Sequence, residues 1–116
     1  MIKVINRHEF GIRQSDFRPG GKANVNWVYI GRETPLGNYI GKNIRDRKKS
    51  IAKYREGLWA DIKSKNENVI DELKRLMSIH RQFGTLYLVC SCKPKACHGD
   101  VIKSCLEWAE SKSLYR

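Results

Sequence analysis

The sequence predicts a small α/β domain in which helices flank a short, mostly parallel sheet. Three observations lead there. The elements read along the chain fall in the order β, β, α, α, β, α; three stretches carry apolar residues at helical spacing; and Leu86-Tyr87-Leu88-Val89-Cys90 is a continuous apolar run, as expected of a strand covered on both faces. With 116 residues, 41% of them hydrophobic, the chain is expected to form a single domain, residues 1–116, whose core needs no disulfides.

Ile2-Lys3-Val4-Ile5-Asn6 is β-prone, and Arg13 to Lys22 is polar and broken by Pro19-Gly20-Gly21, so a strand followed by a flexible loop over about 7–25 is expected. Asn26-Trp27-Val28-Tyr29-Ile30 is β-branched and aromatic, a second strand that delivers the loop Gly31 to Asn38 to one edge of the domain. Ile51, Tyr54, Leu58, Trp59 and Ile62 recur every three or four residues, which predicts a helix from about Asp46 to Ser64 with Asp46 or Ser50 as N-cap. Tyr54, Arg55 and Trp59 are expected to pack this helix on the sheet, with Trp59 in the core. Val69, Ile70, Leu73, Leu76, Met77 and His80 predict a second helix from about Glu67 to Arg81, stopped by Gly84. Leu86–Cys90 is the best candidate for a central strand. Val101, Ile102, Cys105, Leu106, Trp108 and Ala109 mark a last helix from about Gly99 to Lys112, with Cys105 on its apolar face and in the core.

Charge narrows the partners. The chain carries 23 Lys and Arg against 12 Asp and Glu, a formal charge of +11, which favours a polyanion such as a nucleotide, a nucleic acid or a protein with an acidic patch. Lys42, Arg45, Arg47, Lys48 and Lys49, continued by Lys53 and Arg55, form the densest basic run and are the candidate nucleic-acid contacts. Asp46 is the main interruption, and on a helix these residues spread over several faces. No helix-turn-helix, zinc-finger or single-strand-binding signature accompanies them. No apolar run approaches the ~20 residues of a membrane span, so no membrane partner and a cytoplasmic location are expected. Four cysteines in such a chain read as free thiols, metal ligands or buried residues and not as a disulfide framework.

The chemistry concentrates in Cys90-Ser91-Cys92-Lys93-Pro94-Lys95-Ala96-Cys97-His98-Gly99-Asp100, which joins the predicted central strand to the last helix. In α/β folds ligands bind outside the carboxyl ends of strands. One reading is a tetrahedral zinc site of Cys90, Cys92, Cys97 and His98, although Cys-x-Cys-x4-Cys-His departs from the usual knuckle spacing. A second is a reactive site: Cys97 at a helix start beside Lys93 and Lys95 as a stabilised thiolate, His98 as general acid or base, and the amides of Gly99, Asp100 and Val101 as an anion hold. A third is purely structural, with Cys90 and Cys92 buried, His98 and Asp100 capping the helix, and the lysines solvated.

Tyr29-Ile30-Gly31-Arg32 with Leu36-Gly37-Asn38, then Ala52-Lys53-Tyr54-Arg55 with Leu58-Trp59, then Leu88 to Ile102 with its Cys-x-Cys-x4-Cys-His-Gly-Asp element, resemble the bacterial and phage family DUF4326 over about residues 26–106. The family's usual Gly-Asn-Pro-Phe is here Gly37-Asn38-Tyr39-Ile40. The Cys-His element is also similar to that of DUF488, where glutamate commonly stands at the position of Cys92, an exchange that favours a functional pocket over a buried structural thiol. The resemblance implies that the loops after the second and third strands work together. Arg32 then becomes a candidate clamp for phosphate or carboxylate, and Asn38, beside Gly37, a hydrogen-bonding group for a base or ribose. A surface salt bridge for Arg32 and a turn for Asn38 are the bland alternatives.

Two functions follow as expectations. The first is a small enzyme acting on a nucleotide, a nucleoside or a modified base, with hydrolase or glycosidase-like chemistry. Its catalytic candidates are Cys97, His98 and Asp100, and its ligand-binding candidates Arg32, Gly37, Asn38, Cys90, Cys92 and Gly99. The second is a non-catalytic, zinc-stabilised basic module that binds nucleic acid or a host protein, as a phage-type inhibitor in the host cytoplasm would.

Overall fold

The apolar run Leu86–Cys90 (β3) is the central strand of a three-stranded sheet in which Ile2–Asn6 (β1) and Trp27–Tyr29 (β2) lie on either side of it, in the order β1-β3-β2. Both pairings are parallel, as expected for a sheet whose strands are joined by helical crossovers. The computed structural model describes residues 1–17, 25–31, 34–38, 45–90 and 97–115.

Register sorts the side chains into two faces. Ile2, Val4 and Asn6 of β1 and Val28 of β2 stand beside Leu86, Leu88 and Cys90 of β3, and Ile2, Val28, Leu86, Leu88 and Cys90 share one buried cluster with Leu73, Leu76, Ile102 and Leu106 from the helices. On the other face Trp27 meets Tyr87 at 5.5 Å between ring centroids, Phe10 meets Trp27 at 5.1 Å, and Phe17 meets Tyr29 at 5.7 Å. That face is covered by aromatic rings and short segments where full-length helices were expected.

Two single-turn 3-10 helices, Arg7–Phe10 and Gln14–Phe17, occupy part of the segment expected to be a flexible loop. The Asn6 side chain accepts from the His8 amide at 2.9 Å and starts the first. The rings of Phe10 and Phe17 anchor the segment to the sheet, a tertiary contact that polar composition does not reveal.

The long helices are Arg47–Lys63 (α1), Glu67–Phe83 (α2) and His98–Ser111 (α3). Asp46 is the N-cap of α1, its carboxylate accepting from the Lys49 amide at 3.2 Å. Gly84 ends α2 in the left-handed conformation, φ 72°, where glycine has no Cβ penalty. The start of β1 is tied to this end, the Met1 amino group donating to the Gly84 carbonyl at 2.7 Å and to His80 Nε2 at 2.9 Å.

Three packing expectations are corrected. Tyr54 is buried as expected, but Arg55 is exposed and Trp59 keeps 45% of its surface in solvent. The buried stripe of α1 runs through Tyr54 and Leu58, and Trp59 lies ~100° further round the helix. Cys105 is half-buried against the core rather than within it. Among the described residues no helix is long and apolar enough to cross a membrane.

Candidate functional site at the carboxyl edge of the sheet

Parallel strands put their carboxyl ends on one edge, so Asn6, the Tyr29-Ile30-Gly31 turn and Cys90 arrive together, and α3 starts from the same edge. Gly99 lets α3 come this close. A Cβ built there would lie 2.8 Å from Ile30 Cδ1 and 2.8 Å from Val4 Cγ1, inside the contact distance of real side chains.

Cys97 organises the start of α3. It is the N-cap residue, its amide donating to Asp100 Oδ2 at 3.2 Å, while the Asp100 amide returns to the Cys97 carbonyl at 3.1 Å and to the sulfur. This is a capping box with sulfur in the place of the usual hydroxyl. The Gly99 amide also bonds the Cys97 thiol. The anion hold expected from the amides of Gly99 and Asp100 is therefore filled by the chain's own Cys97. Asp100 serves as the reciprocal cap.

Cys90 and Cys97, each 2% exposed, share a side-chain hydrogen bond. That bond, followed by burial, pushes the Cys97 thiol far above its ordinary range. The expectation of a stabilised thiolate is corrected: helix-end potential does not offset a thiol partner in a desolvated position. Burial likewise pushes the half-buried Cys105 up to about 11. At pH 7.5 iodoacetamide is expected to label Cys90, Cys97 and Cys105 at least about tenfold more slowly in the folded protein than in urea, because the thiolate is the nucleophile. Peptide mass spectrometry reads each site separately, and fast labelling of native Cys97 would restore it as a nucleophile.

His98, the first residue of α3, reaches back to the loop after β2. Its Nε2 lies 2.6 Å from the Ile30 carbonyl, and since a carbonyl only accepts, Nε2 carries the proton and Nδ1 is the acceptor nitrogen of the neutral ring. Burial lowers the His98 pKa, against a smaller opposing effect of the Ile30 bond. The linkage follows from that sign. A depressed folded pKa leaves stability full above the unfolded value of ~6.5 and removes it as pH falls from there through the folded pKa. Thermal unfolding is expected to fall between pH 7 and 5, and His98→Gln, which can still donate to Ile30, to flatten that slope. An imidazole titrating by NMR above ~6.5 would contradict the burial argument.

Tyr54 links three elements. Its ring meets His98 edge-on at 5.0 Å between centroids, and its hydroxyl donates to the Leu36 carbonyl at 2.7 Å; burial raises its pKa, so it stays a neutral donor. Asn38 Nδ2 donates to Ser50 Oγ at 3.0 Å, tying the same loop to the first turns of α1. Sequence reasoning placed Tyr54 in the packing and missed this linking role; the available signal was a tyrosine on an apolar stripe, whose hydroxyl needs a partner once buried. Gly37, in a turn closed by its amide to the Thr34 carbonyl at 3.0 Å, lines a cavity of about 180 Å³ with Leu36, Tyr54, Leu58, Asp61 and Val69. This is below the ~300 Å³ at which small-molecule pockets begin.

Of the four candidate zinc ligands the structure brings Cys90 and Cys97 into contact and places His98 beside Cys97 in the chain. Among the described residues no group of three or more His, Cys, Asp or Glu side chains is arranged to hold a metal. Cys92, with Arg32, Lys42, Lys93 and Lys95, lies outside the described residues. Arg45, Arg47, Lys48 and Lys49 are all exposed around the start of α1.

A family described as "Domain of unknown function (DUF4326)" matches residues 16–108. The chain is also 37% identical over 102 residues, 88% of its length and 74% of the relative's, to the "Uncharacterized 12.4 kDa protein in nrdA-td intergenic region" of Enterobacteria phage T4. No solved structure matches it significantly.

Proposed function

We propose, for this chain, which belongs to the DUF4326 family, that the carboxyl edge of its sheet recognises a nucleotide unit and that His98 is the acid-base group acting on it. The observation that carries this reading is the start of α1. Its first turn holds Arg47, Lys48 and Lys49 and no acidic residue, although cations at the positive end of a helix dipole are disfavoured by roughly 0.3–1 kcal/mol each. Asp46 supplies one negative charge as the cap. A phosphate placed there would meet cations and helix dipole together and relieve their mutual repulsion.

This turn is coupled to the edge through the Asn38 bond to Ser50 and the Tyr54 contact with His98. A neutral imidazole with Nε2 held by a carbonyl has Nδ1 as its basic nitrogen, which suits a general base activating water. The reaction class this supports is hydrolysis of a glycosidic or phosphate bond in a nucleotide, a nucleoside or a modified base. Titration calorimetry with a set of mononucleotides at low salt tests it. Saturable binding is expected, weakened about tenfold by Lys49→Glu, with turnover abolished by His98→Ala at nearly unchanged affinity. Absence of binding by every mononucleotide would overturn the reading.

The Cys90–Cys97 contact favours a second reading, a non-catalytic basic module in which Cys90, Cys92, Cys97 and His98 hold zinc and the basic face binds nucleic acid or a host protein. Metal content and thermal stability under chelation, on protein without a histidine tag, separate the two. About one zinc per chain with unfolding on chelation supports the module; metal-free, chelator-indifferent protein supports the pocket.

A further inference from the structure

A second surface lies away from the edge. Trp59 of α1 and Trp108 of α3, 45% and 36% exposed, meet in a T-shaped pair at 5.5 Å between ring centroids and 77° between planes. Both rings are half-buried and neither belongs to the buried core cluster. Their surroundings give them a charge: Lys63 Nζ sits 5.5 Å from the Trp59 ring centroid.

Along α1 the pattern extends. Lys48, Arg55, Trp59 and Lys63 are all exposed, and at 100° per residue they fall within a sector of roughly 80° over roughly 22 Å of helix. The basic run, which sequence reading spread over several faces, thus contains one stripe that leads from the start of α1 to the aromatic pair. Of the acidic residues on α1 and α3, Glu56 is paired with Lys53 at 3.4 Å and Glu107 with Lys103 at 3.3 Å.

We infer that this stripe and the tryptophan pair form a binding track for single-stranded nucleic acid, with the cations following the phosphates and the indole rings stacking bases. Interleaved cations and aromatic rings are the combination that binds single strands, because every base has a face to stack while the backbone supplies the charge. A paired duplex hides its base faces and offers only phosphate to the cations. A second copy of this chain would set like charge against like charge. The inference shares Lys48 with the nucleotide site but is carried by Trp59 and Trp108 on the outer face of α1 and α3, on which mononucleotide affinity does not report.

Fluorescence anisotropy of a labelled oligothymidylate of about fifteen nucleotides, titrated with the full chain at low salt, tests the track. Trp59→Ala and Trp108→Ala are each expected to weaken binding about tenfold, Trp59→Phe to retain most of it, and Arg55→Ala to reduce the slope of log affinity against log salt by about 0.7. Near-ultraviolet circular dichroism verifies that the alanine variants are folded, and the phenylalanine variant keeps the test decisive if one is not. Unchanged oligonucleotide affinity in both folded alanine variants would overturn the inference. So would a duplex of the same length binding as tightly, or a polyglutamate peptide binding with the same dependence on Trp59. Absence of mononucleotide binding by the unmodified chain, with oligonucleotide binding still sensitive to Trp59, would count against the edge site alone.

Discussion

Replacing Leu88 with alanine is expected to cost about 4 kcal/mol of folding stability, the upper half of the range for buried leucines. Leu88 is fully buried at the middle of β3, in register with Val4 on one side and Val28 on the other. Truncation there opens a cavity between both neighbouring strands and the helix layer, where hydrogen-bonded backbone limits collapse. For domains with roughly 5–15 kcal/mol in total, this is a large fraction. Urea unfolding followed by far-ultraviolet circular dichroism reads it as a lower midpoint at unchanged slope. A loss below about 1 kcal/mol would mean that Leu88 does not pack between two strands.

Gly99→Val is expected to cost about 3 kcal/mol, by overpacking instead of a cavity. The first added carbon already meets Ile30 Cδ1 and Val4 Cγ1 at 2.8 Å and the Cys97 sulfur at 3.2 Å. Val4 is β-branched and held in a strand, so it gives little; Ile30 is fully buried and gives little more. Gly99→Ala is expected to cost about 1 kcal/mol, since alanine recovers some helix propensity while only its Cβ must be accommodated. The ordering distinguishes close packing from a simple preference for glycine. If alanine stabilised the protein and valine were neutral, α3 would not sit against β1 as described. Because the same close approach sets the His98 contact with Ile30, valine is also expected to shift the His98 imidazole resonances.

Local chemistry was legible from the residues. Asp46 before a helical repeat, Gly84 after one, and an unbroken apolar pentapeptide gave element positions within a residue or two, because caps and periodicity act over one or two turns. The family was legible for a similar reason: its Cys-x-Cys-x4-Cys-His-Gly-Asp element is contiguous. The segment 7–17 was misread because its order comes from Phe10 and Phe17 resting on a strand that follows later in the chain. Trp59 was misread because the periodicity of α1 admits a neighbouring sector, and only the layer beneath the helix decides which sector is covered.

The sequence by itself determined the α/β class, the central place of β3, the stop of α2 at Gly84 and the net charge of +11. Tertiary structure alone decided that Cys97 turns its sulfur to Cys90 and the first amides of α3, and that His98 bonds a carbonyl 68 residues away. It also decided that two tryptophans from different helices meet in solvent. The physical reason is range. Propensity, capping and periodicity are set by neighbours along the chain, whereas a thiol's ionisation, an imidazole's tautomer and a ring's exposure are set by whichever distant residues the packed layers bring against them.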